Sequence, residues 1–207
     1  MRVIESIADL EEGMAHLTAV CPTWARVLPD LDPLPLRRRS DGFAAILDAV
    51  VSQQLSTHAS DAIAARLAAA GLTTPTAIAA ASDDELRGCG LSGQKIRYLR
   101  GIAAAEPDWD SLRRLPDDVV AATLVALPGI GRWTADIYLK FALGRADAFA
   151  AGDLALQESA RLLYDLPSRP SAAALTELAE PWRPWRAVAA RALWAHYRVA
   201  KGRQGIR

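Results

Sequence analysis

Apolar residues recur along this chain at intervals of three and four, the spacing that lines one face of an α-helix. No stretch alternates with the period of two that a half-buried strand requires. Phe43, Ile46, Leu47, Val50 and Val51 make one such face, which stops near Gln53-Gln54-Leu55-Ser56. Ile96, Leu99 and Ile102 make another, within a helix predicted over 93–105. The same spacing, with its start and stop signals, predicts helices over 7–20, over 57–70 with Gly71 beyond, from Thr74-Pro75, and from the capping box Ser82-Asp83-Asp84-Glu85. It predicts others from Pro116-Asp117-Asp118 to Leu127, from Arg132 to Leu143, over 171–179, and over 184–200 with Pro184 at the start. Asp41 is the expected N-cap of the helix at Phe43, and Asp153 stands where a helix opens after a loop over 144–152. Pro29, Pro33 and Pro35 break up the segment before residue 40. The fold class is therefore all-α. The expected organisation is a central lobe over 41–143 and a second lobe built from 1–40 and 144–207, with a cleft between them.

Composition narrows the function classes. With 51% hydrophobic residues in 207, a sizeable core is affordable, and the net charge of +0 gives no bulk electrostatic signal for nucleic acid. Residues 181–207 carry Arg183, Arg186, Arg191, Arg198, Lys201, Arg203 and Arg207 and no acid. On charge alone, these read as a solvated last helix whose cations suit its C-terminal dipole rather than as a phosphate track. Cys21 and Cys89 are too few and too far apart for a disulfide framework or a four-cysteine cluster, and His16, His58 and His196 lack zinc-ligand spacing. No targeting segment and no apolar run of membrane-spanning length is visible, so the expectation is a cytoplasmic monomer without a membrane partner.

Leu127-Pro128-Gly129-Ile130-Gly131 lies between two predicted helices. Two glycines two apart permit a tight turn whose amides open the next helix, where an anion can be held. The carbonyls of Val125, Leu127 and Ile130 are candidates to hold a monovalent cation, Na+ or K+, and no other cofactor is expected. Such contacts position a protein on a duplex and read no sequence. No Gly-Lys-Ser/Thr follows and no strand precedes, which excludes a Walker loop and a dinucleotide fingerprint. A bare Gly-x-Gly is equally an ordinary helix corner.

The wider pattern is more specific. Leu127-Pro-Gly-Ile-Gly-Arg-Trp-Thr-Ala135, with Asp153 further on, resembles the hairpin-plus-aspartate signature of the helix-hairpin-helix DNA glycosylases, and within them the 3-methyladenine DNA glycosylase II (AlkA-like) branch. Val50-Val-Ser-Gln-Gln-Leu-Ser56 resembles that branch's DNA-wedge loop, Gly90-Leu-Ser-Gly-Gln-Lys-Ile-Arg-Tyr-Leu99 its next loop and helix, and Trp182-Arg-Pro-Trp-Arg186 the start of its last helix. The likeness spans about 41–200 and looks like the branch's compact form, without an N-terminal β-rich extension. It places the helix-hairpin-helix at about 118–143 and implies a base-excision-repair enzyme that binds duplex DNA, flips out an alkylated purine and hydrolyses its N-glycosidic bond.

The resemblance also assigns roles. Asp153 is the implied catalytic carboxylate, facing the positive charge that develops on the sugar, and Asp147 is its nearest rival. On the residues alone, Asp153 reads first as a plain N-cap. Trp133 occupies the place where strand-cutting relatives carry a Schiff-base lysine, and Lys140, about 10 Å further along a helix, does not reach the same atom. A monofunctional enzyme that leaves an abasic site follows. Trp133 and Trp194 are the implied pocket rings, with Phe43 a weaker candidate, while Trp182 and Trp185 read as core. Ile137 departs from the branch, which often has tyrosine there; here Tyr138 is beside it. Gln54, or Leu55 next to it, is the implied wedge. Pro128, Gly129, Ile130, Gly131, Arg132 and Thr134 form the DNA-contacting hairpin. Asp136 is expected to pair with Lys140 one turn on. The competing readings are a sister glycosylase for oxidised, mismatched or deaminated bases, a non-catalytic hairpin DNA-binding module, and, last, a generic helical interaction protein.

Overall fold

The computed structural model describes residues 1–202, and among them there is no strand, only an isolated antiparallel bridge between Val3 and Arg145. Among the described residues thirteen α-helices follow one another, and the chain divides into two units, one made of residues 39–138 and the other of Met1–Arg38 with residues 139–202. The boundary thus falls at Tyr138, earlier than the 143 expected.

The 39–138 unit holds α3 (Phe43–Ser52), α4 (Thr57–Ala69), α5 (Pro75–Ala80), α6 (Asp83–Gly88), α7 (Gly93–Ala105), α8 (Trp109–Leu112), α9 (Asp117–Val125) and α10 (Arg132–Ile137). All five residues of the predicted face on α3 are buried, as are Ile96, Leu99 and Ile102 on α7. Thr74 caps α5 and Ser82 with Glu85 closes the capping box of α6, each as its sequence signal indicates. Asp41 is not the cap of α3. Gly42 takes that place at φ +69, its N–H donates to the Tyr138 hydroxyl at 2.9 Å, and the Asp41 carboxylate is held by the Arg113 guanidinium instead. The single turn α8 is absent from the sequence reading, being too short to show a period.

The other unit contains α1 (Ile7–Val20), α2 (Pro22–Val27), α11 (Leu154–Leu163), α12 (Ala172–Leu178) and α13 (Arg186–Lys201), with 3-10 turns at Leu28–Asp30 and Glu180–Trp182. The N-terminal segment returns onto the later chain: the Ile4 N–H donates to the Gly144 carbonyl at 2.7 Å and the Ala146 N–H to that of Arg2 at 3.1 Å. Helix α1 approaches α13 so closely at Gly13 that a Cβ there would lie 2.6 Å from Val188 Cγ2. Trp24, Trp182 and Trp185 are buried in this core, with Trp24 edge-on to Trp182 at 5.4 Å, so the structural reading of Trp182 and Trp185 holds. Helix α13 begins at Arg186, not at Pro184, which lies in the turn after Trp182 and follows a cis peptide bond.

The helix expected from Arg132 to Leu143 is α-helical only to Ile137. Residues Tyr138–Ala142 form a π-helical turn. The run from Ile137 to Leu143 is nearly all apolar, so it carries no register from which this change could be read.

Candidate active site

The hairpin is built as its glycines suggest, but the two glycines do different work. Gly129 stands at φ +77, and a Cβ there would lie 2.2 Å from the Tyr98 ring. Gly101 leaves similar room for Pro128, whose Cγ would be 2.7 Å from an added Cβ. The hairpin is therefore seated on α7. Gly131, the N-cap of α10, has an ordinary extended backbone, and a Cβ on it would meet nothing within 4 Å. Nothing inside the chain demands glycine there. Gly131 has no side chain with which to cap α10, so the helix opens on backbone alone. Pro128 is exposed and Ile130 buried. Thr134 is buried too. The Leu127 carbonyl accepts from the Ile130 N–H at 3.2 Å.

The loop after α3 is tied to the hairpin. The Gln53 side-chain amide donates to the Gly129 carbonyl at 2.9 Å, and the Lys95 ammonium caps the end of α3 at the Val51 carbonyl, 2.6 Å away. Gln54 follows in the left-handed region at φ +57, and both Gln54 and Leu55 are exposed. A non-glycine residue in that conformation is strained, and such strain clusters where a side chain must be presented.

Asp153 caps α11. Its Oδ1 accepts from the amides of Ala155 at 2.8 Å and Leu156 at 3.2 Å, and the residue is only 9% exposed. Gln157, one turn on, donates to the Ala151 carbonyl at 2.8 Å and braces the entering loop. The cap and the catalytic readings of Asp153 are thus compatible: two amides and the helix dipole hold a negative charge in a fixed place. Asp147, the rival carboxylate, is clamped by Arg186 at 2.7 and 2.9 Å and by Arg183. It serves an ion-pair cluster with Glu180.

The aromatic candidates separate. Trp133 is 50% exposed in the first turn of α10. Trp194 is half-buried on α13, stacked with Phe141 at 5.8 Å and 14°. Ile137 is half-buried. Tyr138 does not replace the ring missing there, because it is buried, its hydroxyl bonds Gly42, and its ring lies 6.4 Å from Trp109. Phe43 is buried and lines a cavity with Ile102 and Trp109.

Lys140 corrects the sequence reading most. Asp136 is engaged by Arg132 at 2.9 Å, while Lys140 is 1% exposed, its ammonium nitrogen has no hydrogen-bond partner, and it lies 3.5 Å from the Trp194 ring centroid. Burial, then repulsion from Arg191 and Arg37, holds it well below the usual ammonium range against the pull of Asp153. The basic C-terminal stretch is not simply a solvated face either. Arg191 is buried, donates to the carbonyls of Ala187 and Leu36, and is pushed down to about 10 by burial and by Arg37 and Arg38. Lys201 pairs with Glu158, while Arg203 and Arg207 lie outside the described residues.

Among the described residues no cluster of His, Cys, Asp or Glu is arranged to hold a metal ion, and no helix is long and apolar enough to cross a membrane.

Comparison with known proteins places this geometry. The model of the HhH-GPD superfamily of base excision DNA repair proteins matches residues 47–184. DNA-3-methyladenine glycosylase 1 of Schizosaccharomyces pombe is 29% identical over 98% of this chain and 94% of that protein. The crystal structure of a DNA-3-methyladenine glycosidase from Bacillus halodurans superposes with a TM-score of 0.83 at 27% identity, covering 98% of this chain and 95% of that one. The S. pombe 3-methyladenine DNA glycosylase in complex with abasic DNA superposes with a TM-score of 0.77 at 29% identity, over 92% and 97% of the two chains. With the hairpin, the exposed loop after α3 and the capping aspartate all within or beside the matched span, the chain belongs to the HhH-GPD superfamily of base excision DNA repair proteins.

Proposed function

We propose that this protein is a monofunctional DNA-3-methyladenine glycosylase of the AlkA-like type, which releases alkylated purines from duplex DNA and leaves an abasic site. The observation that carries this reading is Asp153, buried at the N-cap of α11 with Oδ1 fixed by two amides. Departure of a purine builds positive charge on the deoxyribose, and a preorganised carboxylate lowers that barrier. The same group orients or deprotonates the attacking water. An alkylated purine is already cationic, so it leaves with little acid assistance. The names of the relatives support the substrate class.

Supporting parts have separate tasks. The backbone opening of α10 and the open space at Gly131 suit a backbone phosphate. The Val125, Leu127 and Ile130 carbonyls suit a monovalent cation beside it, the Leu127 oxygen keeping its second lone pair for the metal. Gln54, with Leu55 beside it, fills the gap in the base stack, and Trp194 and Trp133, one in each unit, are each a candidate ring on which a base can stack. The absence of strand cutting follows from the lysines. The sequence has only Lys95, Lys140 and Lys201. Lys95 caps α3, Lys201 pairs with Glu158, and Lys140 is sealed against Trp194.

The test is release of free bases from methylated duplex DNA by the wild type and by Asp153→Asn. Methylated purines released by the wild type, near-loss in the variant, and strand breaks only after alkali are expected. DNA binding without any release would make the protein a non-catalytic hairpin module.

A further inference from the structure

Lys140 has no part in the reaction described so far, yet burying an amine with no hydrogen-bond partner is costly. Its surroundings suggest what it does. Nζ lies 3.5 Å from the Trp194 centroid and 5.0 Å from that of Phe141, while the two rings are 5.8 Å apart. On opposite faces of the indole, the amine and the phenyl would be separated by nearly the sum of their distances to it. At 5.0 Å they share one face. The opposite face of Trp194 is covered by neither of them.

A ring attracts a cation through the negative potential over its face. An ammonium seated on one face consumes that potential and adds a positive charge one indole thickness behind anything stacked on the other. A neutral amine does neither. We propose that Lys140 is a positioning residue that sets base preference through Trp194: as an amine it leaves the outer face attractive to a positively charged alkylated base, and as an ammonium it makes that face unattractive. This rests on the reading of Trp194 as a stacking wall.

The groups around Lys140 make its charge the variable one. Arg191 faces it from α13, Arg37 from the segment before α3, and Asp153 from the cap of α11. Both arginines stay charged across pH 6–9. Burial and the two arginines favour the amine; Asp153 opposes them. His196, two residues from Trp194, is a second titratable group nearby, lowered by burial and bonded to the Ser159 hydroxyl at 3.0 Å. A variant at Lys140 separates the two.

The experiment measures single-turnover release of adenine methylated at ring nitrogen N3 or N7, which carries a positive charge while in DNA, from a defined duplex at pH 6–9. Half-saturation is compared with the inhibition constant of the same duplex carrying an abasic site, which has no base to stack and so corrects for general DNA binding. In the wild type the preference for the charged base over the abasic duplex should fall by about 3- to 10-fold as pH drops, the range a single cation–π contact spans. In Lys140→Met it should stay flat at the high-pH level. A flat wild-type profile, or a Lys140→Met profile that tracks the wild type, overturns the proposal. If Lys140→Met does not fold, His196→Gln decides: a fall with pH that survives in it supports the proposal, and one that disappears overturns it. Absence of any base release by the wild type defeats the glycosylase reading itself, a result distinct from release without pH-dependent preference.

Discussion

The side-chain amide of Gln53 donates to the Gly129 carbonyl across 2.9 Å, so the loop that presents Gln54 is bonded to the turn of the hairpin. This hydrogen bond joins two parts of the proposed DNA-facing surface within the same unit. Gln53→Ala should lower stability by about 1 kcal/mol and weaken binding of lesion DNA several-fold beyond that loss. Thermal melts and binding to an abasic duplex at one salt concentration check both. Equal binding by variant and wild type would show that the loop holds its position without this bond.

The two hairpin glycines should respond oppositely to the same change. Gly129→Ala puts a Cβ at φ +77 and 2.2 Å from Tyr98, so the fold should lose at least about 2 kcal/mol. Gly131→Ala meets nothing within 4 Å and should melt like the wild type, yet bind DNA about tenfold or more weakly, because the methyl obstructs close approach of a phosphate. Denaturant titration beside DNA binding separates the cases.

Asp153→Asn preserves a good N-cap, so it should change stability by less than about 1 kcal/mol while base release falls by about 100-fold or more. Asp147→Asn should do the reverse. It frees Arg186, which is largely buried, and should destabilise by about 1–3 kcal/mol with release nearly intact. Substantial activity in Asp153→Asn would move the catalytic role elsewhere.

Lys140→Met should stabilise the protein at neutral pH by about 1–4 kcal/mol, since an apolar side chain of similar length replaces an amine without a hydrogen bond. The advantage should depend on pH with a definite sign. In the unfolded chain the lysine keeps its proton up to about 10.5, and in the fold it loses it earlier. Between those points the unfolded state binds the extra proton, so wild-type stability rises with pH and the gap to Lys140→Met narrows toward pH 10. Urea titrations at pH 7 and 10 check this.

Much of the layout was legible because local signals and burial agree. The α3 face, the Thr74 and Ser82 caps and the hairpin glycines each carry their own physical reason in a few adjacent residues. The capping position of Asp153 was equally plain, but the catalytic role proposed for it rests on resemblance, since a cap and a catalytic carboxylate look alike in sequence. What was not legible depended on distant partners. Asp41 turned from capping to Arg113, and Asp136 chose Arg132 over Lys140. The burial of Arg191 and the support of the hairpin by Tyr98 and Gly101 join residues far apart in the chain.

The π-helical turn at Tyr138–Ala142 is also a phase shift. An α-helix advances about 100° per residue, and a wider turn changes which way every later side chain points. Tyr138 at its start is buried with its hydroxyl on Gly42, while Lys140 and Phe141 two and three residues later are directed onto Trp194. Removing one residue between 138 and 142 would return the segment to an α-helical phase and rotate those side chains off the indole. The spacing between Trp133 and Asp153 is therefore a structural quantity in its own right. A single-residue insertion or deletion there should harm this protein more than most substitutions within it.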